Sequence, residues 1–468
     1  MKTRYVNVAV IGAGSAGLTA FREATKWPQD VVLIEGGPYG TTCARVGCMP
    51  SKLLIAAAEA AYAVQEAPAF GIEAGQVSID SRAIMDRVRR ERDRFVGFVV
   101  DSVEAIPETH RIRGYAKFVN DHELEIDGQT RVHAKRIVIA TGSSPTWPPL
   151  LKDLGDRLVI NDDIFNWTSL PRSVAVFGVG VIGLELGQAL HRLGVDVRLF
   201  GVRGNVGPLS DPDVLGAAKD AFSDEFYLDP DANVLSVDRT DNGARVAYEN
   251  KSGTREIADV DFVIAATGRT PNTAGLSLDN TTLPLDERGV PVFDAMTMRI
   301  GKSHVFIAGD VSNERVVLHE AADEGRIAGR NAAQYPRVRA HRRSSPLGII
   351  FTDPGLAMVG QSYAELDGQD IVIGEASFED QGRSRIMLRN QGLLRIYASA
   401  KSGLFLGAEM AGPRAEHIGH LLAWAHQSGM TISQMLDMPF YHPVIEEAIR
   451  TALRDTKSRL EKRVDQVA

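Results

Sequence analysis

Two dinucleotide-binding α/β folds in tandem, followed by an α+β segment, are what this 468-residue sequence predicts. Three observations predict it. Near the N-terminus a short apolar strand runs into a G-x-G-x-x-G turn at Gly12, Gly14 and Gly17, and then into a helix. The same pattern returns at Gly178, Gly180 and Gly183. Each copy closes later on an apolar strand ending in Ala-Thr-Gly, at Ala140-Thr141-Gly142 and at Ala266-Thr267-Gly268. Self-similarity on this scale marks a repeated structural unit, and two such units imply two dinucleotides. That pairing suggests a flavin exchanging electrons with a nicotinamide.

Length and composition agree. At roughly 100–200 residues per domain the chain accommodates two to four domains. A net charge of −8 without a basic tail gives nucleic-acid binding no support. No run reaches the ~18 apolar residues that a spanning helix needs, and the N-terminus enters a strand without a signal region, so a cytoplasmic protein free of the membrane is expected. Two cysteines in so long a chain are no structural disulfide framework. The Arg87–Arg94 cluster is interleaved with acids and reads as a solvated helix face; Arg337 to Arg343 reads as an exposed linker.

Tyr5–Ile11 reads as a buried parallel strand. Gly12 permits the tight turn, Gly14 lets backbone approach a pyrophosphate, and Gly17 lets helix pack on strand. The next strand, Val31–Ile34, closes on Glu35, placed to accept from ribose hydroxyls. Both cysteines follow in Thr41-Thr42-Cys43-Ala44-Arg45-Val46-Gly47-Cys48-Met49-Pro50-Ser51-Lys52. No second Cys or His pair lies nearby, so a metal site is not expected; a redox site built on the two sulfurs is. Helices are expected from Ser51 to about Glu66 and from about Asp80 to Ala105, then a small antiparallel insertion with strands near 114–118 and 123–126.

In the second copy the strand Ser173–Phe177 precedes the glycines, and Val195–Phe200 follows the helix. The position matching Glu35 is Gly201, with Arg203 close behind. Loss of the ribose-binding acid removes the main preference for NAD, and a nearby arginine suits a 2′-phosphate, which favours NADP. The alternative is a surface arginine and slack selectivity. Later, His304–Asp310 reads as a strand ending in Gly-Asp, and Leu318 opens a helix. Beyond the linker, alternating strands near 394–398 and 404–408, and helices near 415–428 and 432–436, predict an antiparallel sheet with helices. Near the end stands His442-Pro443-Val444-Ile445-Glu446-Glu447. A helix from Pro443 would set Glu447 about one turn from its start, where a carboxylate fixes the imidazole tautomer and raises its basicity.

The order G-x-G-x-x-G, C-x-x-x-x-C-x-P-S-K, A-T-G, G-x-G-x-x-G-x-E, A-T-G-R-x-P-N, G-D resembles the pyridine nucleotide-disulfide oxidoreductases over essentially the whole chain, and is nearest the pattern of dihydrolipoamide dehydrogenase. The resemblance implies two Rossmann-like domains of the three-layer FAD/NAD(P)-binding type and an α+β dimerisation domain. It places FAD on residues 1–150 and 274–345, NAD(P) on 151–273, and the dimer interface on 346–468. It implies that Thr42, Lys52, Ala116, Thr141, Gly142, Ser143 and Leu318 surround FAD, that Asp310 binds its ribityl chain, and that Lys52 pairs with Glu185 beside the flavin. Gly178, Gly180, Gly183, Arg203 and Gly268 would serve the nicotinamide dinucleotide.

It implies further that Cys43 and Cys48 form the redox disulfide, with Cys48 nearer the flavin and Cys43 nearer the substrate. His442, held by Glu447, would reach the disulfide of a second subunit, so a homodimer is expected. The substrate would be a small dithiol or disulfide, or a lipoyl domain. Two departures bear on it: Phe440-Tyr441 replaces the His-Ala that precedes His-Pro in dihydrolipoamide dehydrogenases, and Arg45 replaces the Asn usual between the cysteines. A glutathione reductase-like enzyme of another disulfide is the alternative. A flavoprotein with a structural part in a larger assembly is the alternative of another class; NAD(P)H-driven reduction of small disulfides by the free protein would exclude it.

Overall fold

The computed structural model describes residues 1–75 and 77–467. The chain divides into two compact units: Met1–Leu53 with Asp86–Thr146 and Gly268–Ser344, and Leu54–Met85 with Trp147–Thr267 and Ser345–Ala468.

The first unit is built on a nine-stranded sheet. Its spatial order is Phe293–Asp294, Arg299–Ile300, Val305–Ile307, Thr130–Ile139, Lys2–Ile11, Val31–Glu35, Arg111–Arg113, and the antiparallel pair Ala116–Asn120 and Glu123–Ile126 joins at Thr130–Ile139. The five strands from Val305–Ile307 to Arg111–Arg113 run parallel. Val8, Ala9 and Val10 are fully buried, as a near-continuous apolar run in a parallel sheet requires. The first strand starts at Lys2 rather than Tyr5, because Thr130–Ile139 pairs with it along its whole length. Chain order reverses between Lys2–Ile11 and its two neighbours, and ligands bind at the carboxyl ends of strands at such a switch point.

The second unit holds a five-stranded parallel sheet ordered Tyr227–Asp229, Asp196–Phe200, Ser173–Phe177, Phe262–Ala265, Leu158–Val159. It also holds a three-stranded meander over residues 233–260 and a five-stranded antiparallel sheet ordered Leu347–Ile350, Gly355–Gly360, Phe405–Gly412, Leu393–Ser399, Ile371–Ser377. Helices Ala415–Gln427 and Glu447–Val467 pack on the last sheet through Ile418, Leu422, Ala448, Ala452 and Leu453. Among the described residues no helix is long and apolar enough to cross a membrane.

The repeat is exact in its close contacts. Gly12 has φ +107° and Gly178 φ +109°, and a Cβ on either would lie 2.2 Å from a carbonyl oxygen, that of Ala140 or Ala266. A Cβ on Gly17 or Gly183 would lie 1.9 Å from the oxygen of Gly12 or Gly178. These are backbone atoms and cannot step aside. Gly17→Ala should therefore destabilise the first fold by at least about 1–3 kcal/mol. The expected result is a purified protein with depleted visible flavin absorbance and a lowered Tm; full flavin content would contradict it.

Three expectations are corrected. The helix expected from Ser51 begins at Cys48 and runs to Glu66. Pro50 does not prevent this, because the first four amides of a helix have no acceptor within it. The last helix begins at Glu447, not Pro443; residues 443–446 are a bend and a turn that precede it. The Arg337–Arg343 stretch is not simply exposed: Arg343 is partly buried, its side chain, 9% accessible, set among carboxylates.

Candidate active site

The cysteines sit at a helix junction. The short helix Thr42–Val46 carries Cys43, and Cys48 is the first residue of the long helix after Gly47. Thr41 caps the short helix, its Oγ1 accepting from the Ala44 amide at 3.3 Å. It does so at φ +58°, a left-handed conformation that a β-branched residue rarely adopts. Cys43 is half-buried and Cys48 exposed; both are thiols. A hydrogen bond to Cys48 and burial push the Cys43 thiol far above its ordinary pKa, opposed in part by the positive charge of Lys52. In this dithiol form Cys43 keeps its proton unless a base removes it.

Lys52 lies a full turn inside its helix, since that helix starts at Cys48. Glu185 is 4% exposed on the helix Val181–Arg192, and accepts from the Phe351 amide at 3.0 Å. The two residues belong to different units.

The end of the chain joins imidazole to carboxylate. His442 Nδ1 lies 3.1 Å from both oxygens of Glu447, and Glu447 Oε2 also accepts from the Val444 amide at 3.2 Å. Glu447 opens its helix, where a negative charge is favoured. The His442 ring beside it is the first cause holding its carboxyl below the usual range. Donation from Nδ1 to Glu447 leaves Nε2 for chemistry, on a side chain 78% exposed.

The first unit has the donor set that a flavin dinucleotide needs. Gly14 is the N-cap of the Ser15–Ala24 helix, and a Cβ built on it would meet nothing within 4 Å, so the turn offers open backbone at a helix N-terminus. Glu35 accepts from the amides of Ala13 at 2.7 Å and Gly37 at 2.6 Å, which ties the glycine turn to the strand end and leaves further lone pairs for ribose hydroxyls. Ser143 Oγ donates to Asp310 Oδ2 at 2.9 Å. Thr141 and Asn272 bond reciprocally at 2.8 and 3.0 Å, which locks the Ala-Thr-Gly strand end. Gly142 has φ +70° and open space where a Cβ would project. Thr42 is exposed at the start of its helix, Ala116 is buried at the start of its strand, and Leu318, first in the helix Leu318–Gln334, is 45% exposed. These residues fit FAD.

Sequence reasoning assigned no role to Arg269 or Asn272, although it quoted their motif. Arg269 bonds Ser143 through Nε to Oγ at 2.8 Å and through Nη2 to the carbonyl at 2.6 Å, and so stands behind Asp310. Motif spacing could not reveal this, because the residues lie 126 positions apart.

In the second unit the glycine turn at Gly178, Gly180 and Gly183 repeats the first, Gly180 being open in the same way. Gly268, which ends the second Ala-Thr-Gly and opens a segment of the first unit, has φ +120°. Gly201 is enclosed: a Cβ there would lie 2.7 Å from Val179 Cγ2 and 2.8 Å from the Pro230 carbonyl oxygen. The acid is therefore excluded by packing. Arg203 is exposed at φ +63°, and its amide donates to Asp231 Oδ1 at 2.8 Å. Among the described residues no group of His, Cys, Asp and Glu is arranged to hold a metal ion.

Comparison with known proteins completes the assignment. Residues 6–325 match the family described as pyridine nucleotide-disulphide oxidoreductase, and residues 347–453 its dimerisation domain. Similar curated proteins include dihydrolipoyl dehydrogenases from Cupriavidus necator, 30% identical over 96% of this chain and 98% of that protein, and from Haloferax volcanii, 30% identical over 95% and 94%. Dihydrolipoyl dehydrogenase 2 of Haloarcula marismortui is 29% identical over 96% of each. In fold the chain is similar to LpdA from Mycobacterium tuberculosis, with TM-score 0.80 and 23% identity over 96% of this chain and 99% of that one. It is likewise similar to the HOCl-induced flavoprotein disulfide reductase RclA of Escherichia coli, with TM-score 0.79 and 23% identity over 96% and 99%. The chain belongs to the pyridine nucleotide-disulphide oxidoreductases, and is an FAD- and NAD(P)-dependent disulfide oxidoreductase carrying that family's dimerisation domain.

Proposed function

We propose that this enzyme exchanges electrons between NAD(P)H and a small dithiol or disulfide of the dihydrolipoamide type, as a homodimer, through Cys43 and Cys48. The observation that carries the reading is the placing of Cys43, on the helix Thr42–Val46, beside Cys48, the first residue of the next helix, close enough for the two thiols to interact and for the Lys52 charge to act on Cys43. FAD, when bound, transfers the electron pair between the nicotinamide and the cysteine pair. The protein supplies the thiol chemistry. His442, set by Glu447 and acting on the dithiol of the second subunit, takes the proton of Cys43. The Cys43 thiolate attacks one sulfur of the substrate disulfide and expels a thiolate, which receives the proton from His442. Cys48 then displaces the second thiol from the mixed disulfide, leaving the Cys43–Cys48 disulfide. Each turnover oxidises two cysteine thiols and reduces one substrate disulfide. Lys52 is proposed to hold a positive charge beside the flavin; Lys52→Met should slow electron transfer without abolishing flavin binding, as stopped-flow absorbance would report.

The experiment is a substrate matrix. NADH and NADPH are offered with lipoamide, glutathione disulfide and other small disulfides, and dihydrolipoamide is offered in reverse. Turnover with lipoamide supports the proposal; robust turnover only with an acidic disulfide such as glutathione disulfide would replace it, and would point to Arg45 as the binding group. Its stem packs over Gly40, where a Cβ would lie 3.0 Å from Arg45 Cγ and Cδ.

On coenzyme choice, we propose that Arg203 tilts the site towards NADP. The packing at Gly201 gives a sharp expectation: Gly201→Glu should destabilise the fold rather than confer NAD preference, because the side chain would strike Val179 and Pro230. A stable Gly201→Glu enzyme with a new NADH preference, measured as the ratio of kcat/KM values, would contradict it.

A further inference from the structure

Arg343 ends the arginine-rich segment, yet its side chain is placed inside the first unit. Its Nη2 donates at 2.7 Å to Glu320 Oε2 and at 2.7 Å to Glu324 Oε1. The two acids are four apart on the helix Leu318–Gln334, and are 1% and 0% exposed. The other oxygen of Glu324 accepts from the Gly309 amide at 2.7 Å and from Ser312 Oγ at 3.4 Å. Asp310 follows Gly309 directly.

Two close approaches make this junction stiff. A Cβ on Gly309, whose φ is +81°, would lie 2.8 Å from Ala16 Cβ; one on Gly325 would lie 2.2 Å from the Ala16 carbonyl oxygen. Ala16 belongs to the helix that follows Gly14. The glycine turn, the Gly309–Asp310 turn and the Leu318–Gln334 helix therefore meet at one point, and Arg343 neutralises its buried charge.

We propose that Arg343 is a positioning residue for the flavin: by pairing with Glu324 it keeps that carboxylate on the Gly309 amide, and so fixes where Asp310 stands. The proposal rests on the reading that Asp310 binds the flavin. Removing one partner of a buried ion pair leaves the other charge without compensation, which is strongly destabilising. Even with Arg343 present, burial raises the Glu324 pKa. The other groups facing the pair are Arg315, whose Nη1 is 3.0 Å from Glu320 Oε1, and Glu314, 3.9 Å from Arg343. Without Arg343 they leave one cation among three acids. Ionisation of Glu324 then becomes costly, so flavin should be held worst at high pH, where the carboxyl must lose its proton, and better at low pH, where it is neutral.

The test measures FAD affinity of the full chain, by visible absorbance and flavin fluorescence after gel filtration, at about pH 6 and about pH 8.5. Arg343→Met should weaken binding on the order of tenfold or more at the higher pH, and less at the lower. Arg343→Lys should stay near the wild type at both. Adding Glu320→Gln to Arg343→Met should recover affinity, because it removes one orphaned charge. Wild-type affinity in Arg343→Met at both pH values would overturn the proposal. So would equal loss in the lysine variant, which also serves if the methionine variant does not fold. Asp310→Ala separates the two readings: if it too keeps full affinity, the assignment of Asp310 fails, whereas loss there with none in Arg343→Met refutes the role of Arg343 alone.

Discussion

Cys43→Ser and Cys48→Ser enzymes should each bind FAD and show essentially no reduction of disulfide substrates. The cysteines lie on the helices Thr42–Val46 and Cys48–Glu66, whereas most of the residues that fit the flavin lie on other segments, from Gly12 to Leu318. An oxygen for a sulfur changes little volume, so the scaffold should hold. The chemistry does not survive, because a serine hydroxyl is neither a nucleophile at neutral pH nor able to close a disulfide. The two variants should differ in one respect. With Cys48 absent, Cys43 can still attack and should accumulate as a mixed disulfide with substrate; with Cys43 absent, no adduct should form. Intact-mass measurement after incubation with substrate distinguishes them. Normal turnover by either variant, or an adduct on Cys48 alone, would sink the proposed division of labour.

The second large effect concerns His442 and Glu447. Because Cys48 and burial hold the Cys43 proton, the thiolate is scarce at neutral pH without a base. His442→Gln should lower kcat by roughly 10²–10⁴-fold, the usual worth of a positioned acid–base group. Glu447→Gln keeps the size of the side chain but can present its amide NH₂ to Nδ1, which favours the wrong tautomer, and about 10²-fold loss is expected. The pH dependence gives the sign. A raised thiol pKa means that the fraction of thiolate climbs with pH, so His442→Gln should gain rate steadily into the alkaline range, where the wild type levels off. Flavin content and Tm should be unchanged in both. A pH profile of His442→Gln parallel to the wild type would show that the imidazole is not the base.

Much of this was legible in the sequence because the signals are local. The glycines of the two turns, the Ala-Thr-Gly strand ends and the Cys-x-x-x-x-Cys run each encode a backbone need within a few residues. His442 and Glu447 are five apart, so their pairing was readable as well, although the helix that would position Glu447 was expected four residues too early. Pro443 suggested a helix start; a bend at Pro443 and a turn at residues 445–446 occupy that place instead.

What failed to show was whatever depended on partners far apart in the chain. Arg343 looked like a linker cation, since nothing near it in sequence betrays Glu320 and Glu324 on the first half of the helix Leu318–Gln334. The lost acid at Gly201 looked like a statement about coenzyme, but Val179 and Pro230 leave no room for a side chain there. Arg269 gave no hint of Ser143. The sequence by itself determined the two dinucleotide folds, the close spacing of the two cysteines and the histidine–glutamate pair, because each rests on backbone sterics or on neighbours within a turn or two. Only the tertiary structure decided which charges are buried, which carboxylate holds the Gly309 amide, and why position 201 is a glycine, because packing density and desolvation arise only when distant segments meet.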